Sequence, residues 1–477
     1  MPSILGANTL SSGYDVDNSV RLDSASTAYL SRTVNLTQGT TSQHKFTISC
    51  WFKLGKTGQT NGEIFGAHGS SDYFAVRVQS GSRIDIISYD NAIKGRLITS
   101  QVLRDHSAWY HIVVACDSDN GSGTNRMRLY INGSEVTDFT TDTNPSSGTD
   151  LIAENMDEFN IGRSVDQVGG AGLFDGYITE FVYIDNDQLD ATSFGEFDQD
   201  SPTIWKPKDV SELSQLSNTF SFYLDFEDSS NLGNDVSGNN LDFTSNNLAA
   251  TDQSTDTCTN NFLTWNPLDT TDTSDLTFSE GNLKVVNATG VCRGTLAASS
   301  GKWYWEIKQI TAVDASNPIQ YGVADTEDSP PTHSSLNNAL IAYSDNNTNK
   351  AIKKFAAGTE STITSTMGSF NNIAQNDIIQ FAFDADTAKL WVGRNGTYLN
   401  SGDPANGTGE VASTNSGNFF TPCLEHAGVT YTIESNFGSP PYSISSGNTD
   451  GKGYGNFEYA VPSGFYAWNT KNLAEFG

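Results

Sequence analysis

Short stretches in which every second residue is apolar recur along the chain, and Gly, Asn, Asp and Ser cluster between them. In FTISCWFKL (46–54), Phe46, Ile48, Cys50 and Phe52 fall on one face of an extended strand. Comparable stretches lie at 19–23, 45–54, 73–79, 83–89, 109–117, 126–133, 158–163 and 176–185. Short strands at this spacing, joined by turn-forming residues, predict an antiparallel β-sandwich or jelly roll.

Two stretches contain an Asn-Gly pair, which is the strongest short-range signal for a two-residue hairpin turn. MRLYINGSEV (127–136) contains Asn132 and Gly133, and AKLWVGRNGTYL (388–399) contains Asn395 and Gly396. Because the two pairs are far apart in the sequence, we interpret them as independent hairpins. Each is expected to close a strand pair in a separate sandwich.

A second series of strand patterns begins near residue 278 and includes GKWYWEI (301–307), in which Trp303 and Trp305 are expected to pack in a core. A chain of 477 residues is too long for one ordinary core, so two domains are expected. The predicted fold class is all-β, with two antiparallel β-sandwich domains joined by a polar connector. The predicted parts are an N-terminal arm (1–15), a jelly roll (16–196), the connector (197–262) and a second β-sandwich (263–477).

The composition narrows the range of partners. The net charge is −30, with 26 basic and 56 acidic residues, whereas a protein that follows phosphates needs a basic face, so nucleic acid is not an expected partner. No stretch approaches the ~18 apolar residues of a membrane span, so membrane insertion is not expected. The N-terminus lacks a basic region followed by an apolar run, so we expect synthesis in the cytosol without a secretory signal. The five cysteines are widely spaced and include no C-x-x-C, unlike a disulfide framework or a zinc site.

The motifs of each half resemble those of a known family. The first half resembles laminin-G or concanavalin A-like jelly rolls through RLDSASTAYLSR (21–32), FTISCWFK (46–53), RMRLYINGSEV (126–136) and FNIGR (159–163). The second half resembles SPRY domains through SSGKWYWEI (299–307), YGVAD (321–325), DIIQFAFDADTAKLWVGRNG (377–396) and PSGFYAWN (462–469). The pair is similar to structural proteins of tailed bacteriophages, especially marine ones. This resemblance implies two sandwiches of curved sheets, of a kind that is typically surface-exposed and binds glycans or proteins.

No catalytic arrangement is recognised in the sequence. Concanavalin A-like glucanases place paired carboxylates on one strand as E-x-D-x-x-E, so that both flank one glycosidic bond. The nearest approach is EFDQDS (196–201), which lacks the closing Glu and follows the last strand of the jelly roll, so a solvated acidic loop is expected. His111 alternates with Val113 in a strand and is expected to be a satisfied strand residue rather than a base. No catalytic residue is therefore assigned, and the protein is predicted not to be an enzyme.

Calcium is a candidate cofactor, because sandwiches of the laminin-G type often use it. The stretch DSDNGSGTN (117–125) supplies the oxygen-bearing side chains of Asp117, Asp119, Asn120 and Asn125 between two strands. It begins like an EF-hand loop, but the twelfth position is Arg128 instead of Glu, so it is not one. An ordinary polar hairpin loop remains the alternative interpretation, and no other cofactor is expected.

A glycan site needs exposed aromatic rings with polar side chains beside them. GSSDYF (69–74) and ISYDNA (87–92) offer such residues on predicted loops. The candidate ligand-binding residues are Asp72, Tyr73, Tyr89, Asp90 and Asn91.

The leading functional hypothesis is a non-enzymatic virion protein. It would be a tail-fibre-like or other surface-exposed appendage that contacts other virion proteins and binds a host surface glycan or protein, with the N-terminal arm as its attachment. The alternatives are a capsid decoration or particle-stabilising protein, a glycan-degrading enzyme, and a cellular lectin or adhesin. Fibre proteins are commonly trimers, so a homo-oligomer is a further hypothesis, although the sequence shows no heptad or β-helical repeat that would enforce one.

Overall fold

The structure of the protein is a computed structural model. It describes residues 13–34, 43–69, 72–152, 156–164, 172–270, 276–312, 318–326, 336–344 and 349–477, with only the backbone at 287–289, 319 and 426–430. Most of the N-terminal arm expected at 1–15 lies outside these residues. The chain forms two compact units, of which the first ends at Thr259 and the second begins at Asn260.

The first unit is built from two antiparallel sheets and a separate hairpin. Its strands are β1 (Ser19–Leu22), β2 (Tyr29–Thr33), β3 (Lys45–Leu54), β4 (Gly62–Gly69), β5 (Tyr73–Gln79), β6 (Arg83–Asp90), β7 (Ala92–Thr99), β8 (Trp109–Asp117), β9 (Met127–Ile131), β10 (Ser134–Glu135), β11 (Phe139–Thr143), β12 (Met156–Ile161), β13 (Gly176–Asp185), β14 (Gly195–Phe197), β15 (Trp205–Pro207), β16 (Phe222–Leu224), β17 (Thr244–Asn246) and β18 (Gln253–Ser254). The first sheet has the order β10-β9-β8-β3-β13-β1-β18, with β16 also paired to β13. The second sheet has the order β11-β7-β6-β5-β4-β12-β2-β17, and β14 pairs with β15.

The inward faces of the two sheets enclose one apolar core. Phe46, Ile48, Cys50 and Phe52, the alternate residues of β3, are all buried in it, as the sequence pattern predicts. Phe74 of β5 contacts Phe46 edge-on, with ring centroids 5.0 Å apart. The all-β sandwich prediction is confirmed for this unit.

Residues 197–262, expected as a connector partly folded against a neighbour, belong to the first unit as far as Thr259. In this segment β16 pairs with β13, β17 with β2 and β18 with β1. The outward face of the first sheet carries large apolar side chains such as Trp51 and Tyr177, and Trp205 and Leu216 of this segment pack in a second cluster with them. Burial of that face is the physical reason why the segment folds onto the sandwich.

The polar side chains of this segment form hydrogen bonds with backbone groups of the same segment. The Asn239 side-chain amide donates to the carbonyl oxygens of Leu216, Asn218 and Ser221 at 2.7, 2.9 and 2.8 Å. The Asp235 carboxylate accepts from the backbone N–H of Tyr223 at 3.0 Å. Polar side chains that close turns in this way replace regular strand pairing, so the segment has little apolar periodicity.

The second unit is also antiparallel apart from one short parallel pairing. Its strands are β19 (Trp265–Thr270), β20 (Leu276–Ser279), β21 (Lys284–Gly294), β22 (Lys302–Gln309), β23 (Ile319–Asp325), β24 (Ala339–Ser344), β25 (Lys350–Ala356), β26 (Thr359–Ile363), β27 (Ile378–Asp384), β28 (Lys389–Arg394), β29 (Thr397–Tyr398), β30 (Ala412–Ser413), β31 (Phe420–Asn436) and β32 (Tyr466–Ala467). The main order is β26-β25-β24-β23-β31-β22-β27-β28-β29. The long strand β31 pairs with β23 through its first half and with β22 through its second half.

Trp303 and Trp305 are completely buried in the core of the second unit, as expected. Trp303 stacks on Trp468 with a centroid distance of 4.6 Å, and Trp305 stacks on Phe381 at 5.0 Å.

The two Asn-Gly pairs form the same local structure in the two units. Asn132 and Gly133 have φ values of 47° and 78°, and Asn395 and Gly396 have 48° and 84°, as a type I′ turn requires. The Asn132 N–H donates to the carbonyl of His111 at 2.9 Å, and its side-chain oxygen accepts from the His111 N–H at 2.8 Å. Asn395 makes the same two bonds with Ile378, at 3.0 and 2.9 Å. Each asparagine therefore joins its turn to the neighbouring strand.

Helices are few among the described residues. The α-helix α1 (Thr470–Phe476) is capped by Asn469, whose side chain accepts from the Asn472 N–H. Short 3₁₀ turns lie at Gly123–Asn125, Ala191–Ser193, Ser214–Ser217, Ala250–Asp252 and Leu399–Ser401. Within the described ranges, no helix has the length and apolarity that would let it span a bilayer.

Candidate ligand-binding face

The outward face of the second sheet of the first unit carries three parallel rows of side chains. In strands β4, β5 and β6, residues that point into the core alternate along the strand with residues that point outward. Cross-strand pairing sets Glu63, Arg77 and Asp85 side by side, which we call the charged row. It also aligns His68, Tyr73, Tyr89 and Ile93, which we call the aromatic row. Gly66, Ala75 and Ile87 lie between the two rows, and we call them the floor; Ala75 and Ile87 are buried.

The three rings of the aromatic row stack on one another, and the ring of His68 is buried. The rings of Tyr73 and Tyr89 are 5.3 Å apart between centroids and inclined by 16°, and those of His68 and Tyr73 are 6.3 Å apart and inclined by 24°. Both tyrosines are partly exposed, and Ile93 at the end of the row is 47% exposed. An apolar edge of this kind can contact a flat ligand.

The structure brings together all five residues that were predicted to bind a ligand. Tyr73 starts β5 and Tyr89 lies near the end of β6, where the two residues pair directly, so they are strand residues rather than the loop residues expected. Asp72 precedes Tyr73 and is buried. Asp90 accepts from the Asn91 side-chain amide at 2.8 Å and lies 3.2 Å from the Lys94 ammonium, whose hydrogen bond lowers the pKa of that carboxyl group.

The charged row is a buried network centred on Asp85. Its carboxylate accepts from Arg77 Nε at 2.9 Å and from Arg96 Nε and Nη2, also at 2.9 Å. The hydrogen bonds from Asp85 raise the pKa of the Arg96 guanidinium. Sequence analysis did not identify these three residues as part of a site. The available signal was a charged residue within an apolar strand, as in YFAVRVQ and RIDIISY.

Glu63 and His68 form a second buried pair, in which Glu63 Oε1 lies 2.5 Å from His68 Nε2. Burial raises the pKa of Glu63. A β-bulge between Glu63 and Phe65 brings Glu63 to the same face as His68. Gly66 lies beneath this contact, since a Cβ atom there would be 1.9 Å from Glu63 Oε1 and 2.1 Å from His68 Nε2.

Two buried polar groups beside the floor have free hydrogen-bonding capacity. Asn160 lies opposite Gly66 on β12 and is completely buried. Within the part of the chain that the structure describes, neither atom of its side-chain amide has a hydrogen-bond partner, and Arg77 Nη1 has none either. A buried polar group without a partner costs about 1–3 kcal/mol.

In the predicted calcium loop, two side-chain oxygens accept hydrogen bonds from the loop itself and a third contacts a histidine outside it. Asp117 Oδ1 accepts from the Asp119 N–H at 3.1 Å, and Asn120 Oδ1 accepts from the Ser122 N–H at 3.0 Å. Asp119 Oδ2 lies 3.0 Å from a ring nitrogen of His44, and Asn125 ends a 3₁₀ turn. Over the described ranges, no group of three or more His, Cys, Asp or Glu residues could hold a metal ion. Calcium binding by this loop stays a prediction.

The residues expected to be structural make internal contacts. His111 is buried, with Nε2 2.9 Å from Ser49 Oγ and Nδ1 accepting from Trp205 Nε1 at 3.0 Å. Burial lowers its pKa to about 3, so the ring is neutral. The EFDQDS stretch was expected to be a solvated acidic loop, but Glu196 and Phe197 belong to β14 and Asp198 is buried. The Asp198 carboxylate accepts from the backbone N–H groups of Asp200 and Ser201, both at 3.0 Å.

Residues 26–190 match a laminin-G family model described as the concanavalin A-like lectin/glucanases superfamily. This range contains both rows of the candidate face. No curated protein matches the chain. One similar solved structure is the SPRY domain of human HERC1, with 13% identity, 36% of this chain and 96% of that chain covered, and a TM-score of 0.27. Another is domains LG4-5 of the mouse laminin alpha1 chain, with 11% identity, 94% of this chain and 98% of that chain covered, and a TM-score of 0.29. A putative carbohydrate binding protein from Bacteroides ovatus is also similar, with 16% identity, 49% of this chain and 59% of that chain covered, and a TM-score of 0.30.

Proposed function

We propose that the protein is a glycan-binding protein and that the ligand lies along the aromatic row of the first unit. The observation that carries this proposal is the stack of His68, Tyr73 and Tyr89, which ends in the exposed Ile93. Aromatic rings contact the apolar face of a sugar, and polar groups beside them select its hydroxyls. The match of this region to a superfamily of lectins and glucanases supports the proposal.

The charged row favours binding over hydrolysis. A glycosidase needs one carboxylate free to act as nucleophile or base and a second carboxyl group as acid. Asp85 is held by two arginines, Glu63 pairs with His68 through Oε1, and both carboxyl groups are completely buried. A glycan-degrading enzyme is the second candidate. It predicts that oligosaccharides are released when the protein is incubated with a glycan that it binds.

The test is a glycan array with the purified chain, followed by calorimetric titration of the strongest ligand. Tyr73→Ala and Tyr89→Ala should each weaken binding by about tenfold, equivalent to about 1.4 kcal/mol, because each removes one ring of the row. Phe419→Ala is a matched control, since Phe419 is 41% exposed in the second unit. Circular dichroism checks that the variants are folded. Full affinity in both tyrosine variants, or an array without any bound glycan, would refute the proposal.

We also propose a setting for this activity, which rests on the resemblance of nearly the whole chain to phage structural proteins. The protein would be a tail-fibre-like or other surface-exposed appendage of a virion that binds host surface glycan. Gold-labelled antibody against the chain should then mark particles at the tail in electron micrographs. Label on the head would favour a decoration protein, and unlabelled particles would exclude both virion roles.

A further inference from the structure

A buried lysine and a buried aspartate are in direct contact on the outward face of the first sheet. Lys53 lies near the end of β3, and its Nζ is 2.8 Å from Oδ2 of Asp256. Each of the two side chains is only 1% exposed. An ion pair enclosed in this way has lost its hydration, so its conversion into an uncharged group removes a cost to the folded state.

Aromatic rings enclose the lysine. Cross-strand pairing places Lys53 between Trp109 of β8 and Tyr177 of β13. The Lys53 Nζ lies 5.5 Å from the centroid of the Tyr177 ring, and the Trp109 and Tyr177 centroids are 6.2 Å apart. Both aromatic side chains are themselves buried, so the amine and the carboxyl group meet where water is excluded.

The Asp256 carboxyl group and its backbone are held in place. Its Oδ1 accepts from Trp109 Nε1 at 3.0 Å. The Asp256 N–H donates to Ser254 Oγ at 3.1 Å, and Ser19 Oγ donates to the Asp256 carbonyl at 2.7 Å. Because Lys53 is fixed in a central strand as well, the amine and the carboxyl group stay in contact, which gives each a very high effective concentration towards the other.

A neutral base is close to this pair. His106 is only 4% exposed, and neither of its ring nitrogens has a hydrogen-bond partner within the described ranges. Burial lowers the pKa of His106, and the positive charge of Lys53 lowers it further, although Asp105 acts in the opposite direction. The imidazole ring is therefore uncharged at neutral pH and is able to accept a proton.

We propose that Lys53 Nζ and Asp256 Cγ form an amide bond within the chain, with loss of one water molecule. The Lys53 ammonium gives one proton to Asp256 Oδ2 through the hydrogen bond that joins them. The neutral Nζ attacks Cγ, while Trp109 Nε1 stabilises the negative charge that develops on Oδ1. His106 takes a second proton from Nζ and passes it to the leaving hydroxyl, so the Nζ–Cγ bond forms, the Cγ–Oδ2 bond breaks and water departs. The product joins β3 covalently to the segment that contains Asp256.

The test is intact mass spectrometry of the purified full chain, followed by mapping of its tryptic peptides. The wild-type chain should be lighter than its sequence requires by one water molecule, or about 18 Da. Trypsin should not cleave after an acylated Lys53, so one product should join residues 46–56 to residues 209–284.

Three variants locate the bond. Lys53→Arg keeps the positive charge but has no amine to acylate, so it should have the full mass of its sequence. His106→Phe should be cross-linked to a smaller fraction than the wild-type chain. Lys206→Arg is the matched control and should keep the mass deficit, because Lys206 also contacts an aspartate of the first unit, with Nζ 3.3 Å from Asp198 Oδ2.

A wild-type chain with the full mass of its sequence would show that the two residues form an ion pair only, and would overturn the proposal. A mass deficit that persists in Lys53→Arg would overturn it too, as would a deficit that disappears in Lys206→Arg alone. An unchanged cross-linked fraction in His106→Phe would overturn the role given to His106. The outcome is independent of glycan binding, because none of these measurements uses a glycan.

Discussion

Glu180 gives a prediction whose magnitude follows from its surroundings. It lies at a β-bulge in β13, has a φ of 50° and is only 6% exposed. Its carboxyl Oε2 accepts from the Tyr223 hydroxyl at 2.8 Å, and Tyr14 lies beyond, with its hydroxyl 3.3 Å from that of Tyr223. Burial raises the pKa of Glu180 to about 8, and the negative charge of Asp225 adds to the effect. At neutral pH the folded protein therefore holds a proton that the unfolded chain has released.

The sign of the pH dependence follows from proton binding. The folded pKa lies above the ordinary glutamate value, so the contribution of Glu180 to stability is fully present below about pH 4.3 and is lost as the pH rises towards 8. One proton bound only in the folded state changes the free energy of unfolding by about 1.4 kcal/mol per pH unit, or by an order of 5 kcal/mol over this window. Glu180→Gln keeps the hydrogen-bonding shape and removes the titration.

The assay is urea unfolding of the wild-type chain and Glu180→Gln at pH 5, 6, 7 and 8. The two units can unfold in separate transitions, so the transition moved by the substitution is compared at each pH. The Gln variant should gain stability relative to the wild-type chain as the pH rises. Glu212→Gln, at an exposed position of the same unit, is the control and should change nothing. A constant difference between Glu180→Gln and the wild-type chain from pH 5 to 8 would show that Glu180 is not protonated in the folded state.

Two other substitutions test local packing by urea unfolding. Gly66→Ala should lower the free energy of unfolding by about 1–3 kcal/mol, because its Cβ atom would separate Glu63 from His68. Gly121→Ala is the control and should leave the free energy of unfolding unchanged, because the added atom meets nothing within 4 Å. Equal stability in the two variants would contradict the described geometry. Asn132→Ala should lower the free energy of unfolding by about 1–2 kcal/mol, because it loses the left-handed turn conformation and the hydrogen bond to His111. Asn132→Gly should lower it by less, because glycine keeps the turn. An Ala variant as stable as the Gly variant would contradict that reasoning.

Local patterns predicted the parts of the fold that local chemistry controls. The alternation in β3 placed Phe46 and Phe52 in the core, and both Asn-Gly turns form as the residue pair requires. Residues 197–262 were predicted only as a partly folded connector because the strands in this segment as far as Thr259 are three residues long or shorter and the turns are closed by polar side chains such as Asn239. Their place on the sandwich depends on the apolar outward face of a sheet whose strands are distant in sequence.

The candidate face was predicted only in part, for a related reason. Tyr73 and Tyr89 were identified by residue type, and they are direct neighbours because β5 and β6 form a hairpin. Glu63 and Asn160 enter the face through a β-bulge and through the pairing of β4 with β12, which are separated by many strands. Such long-range register cannot be read from short windows of sequence. The buried Asp85 network was missed because its charges lie inside strands that were interpreted as core.

The most direct test of the account is hydrogen–deuterium exchange of the chain with and without its strongest array glycan. The account predicts that added glycan protects the peptides covering 72–79 and 83–93, which carry Tyr73, Tyr89 and Ile93, and that Tyr89→Ala removes this protection at the same glycan concentration. Protection confined to the loop 117–125, or to the second unit, would contradict the assignment of the aromatic row as the binding surface.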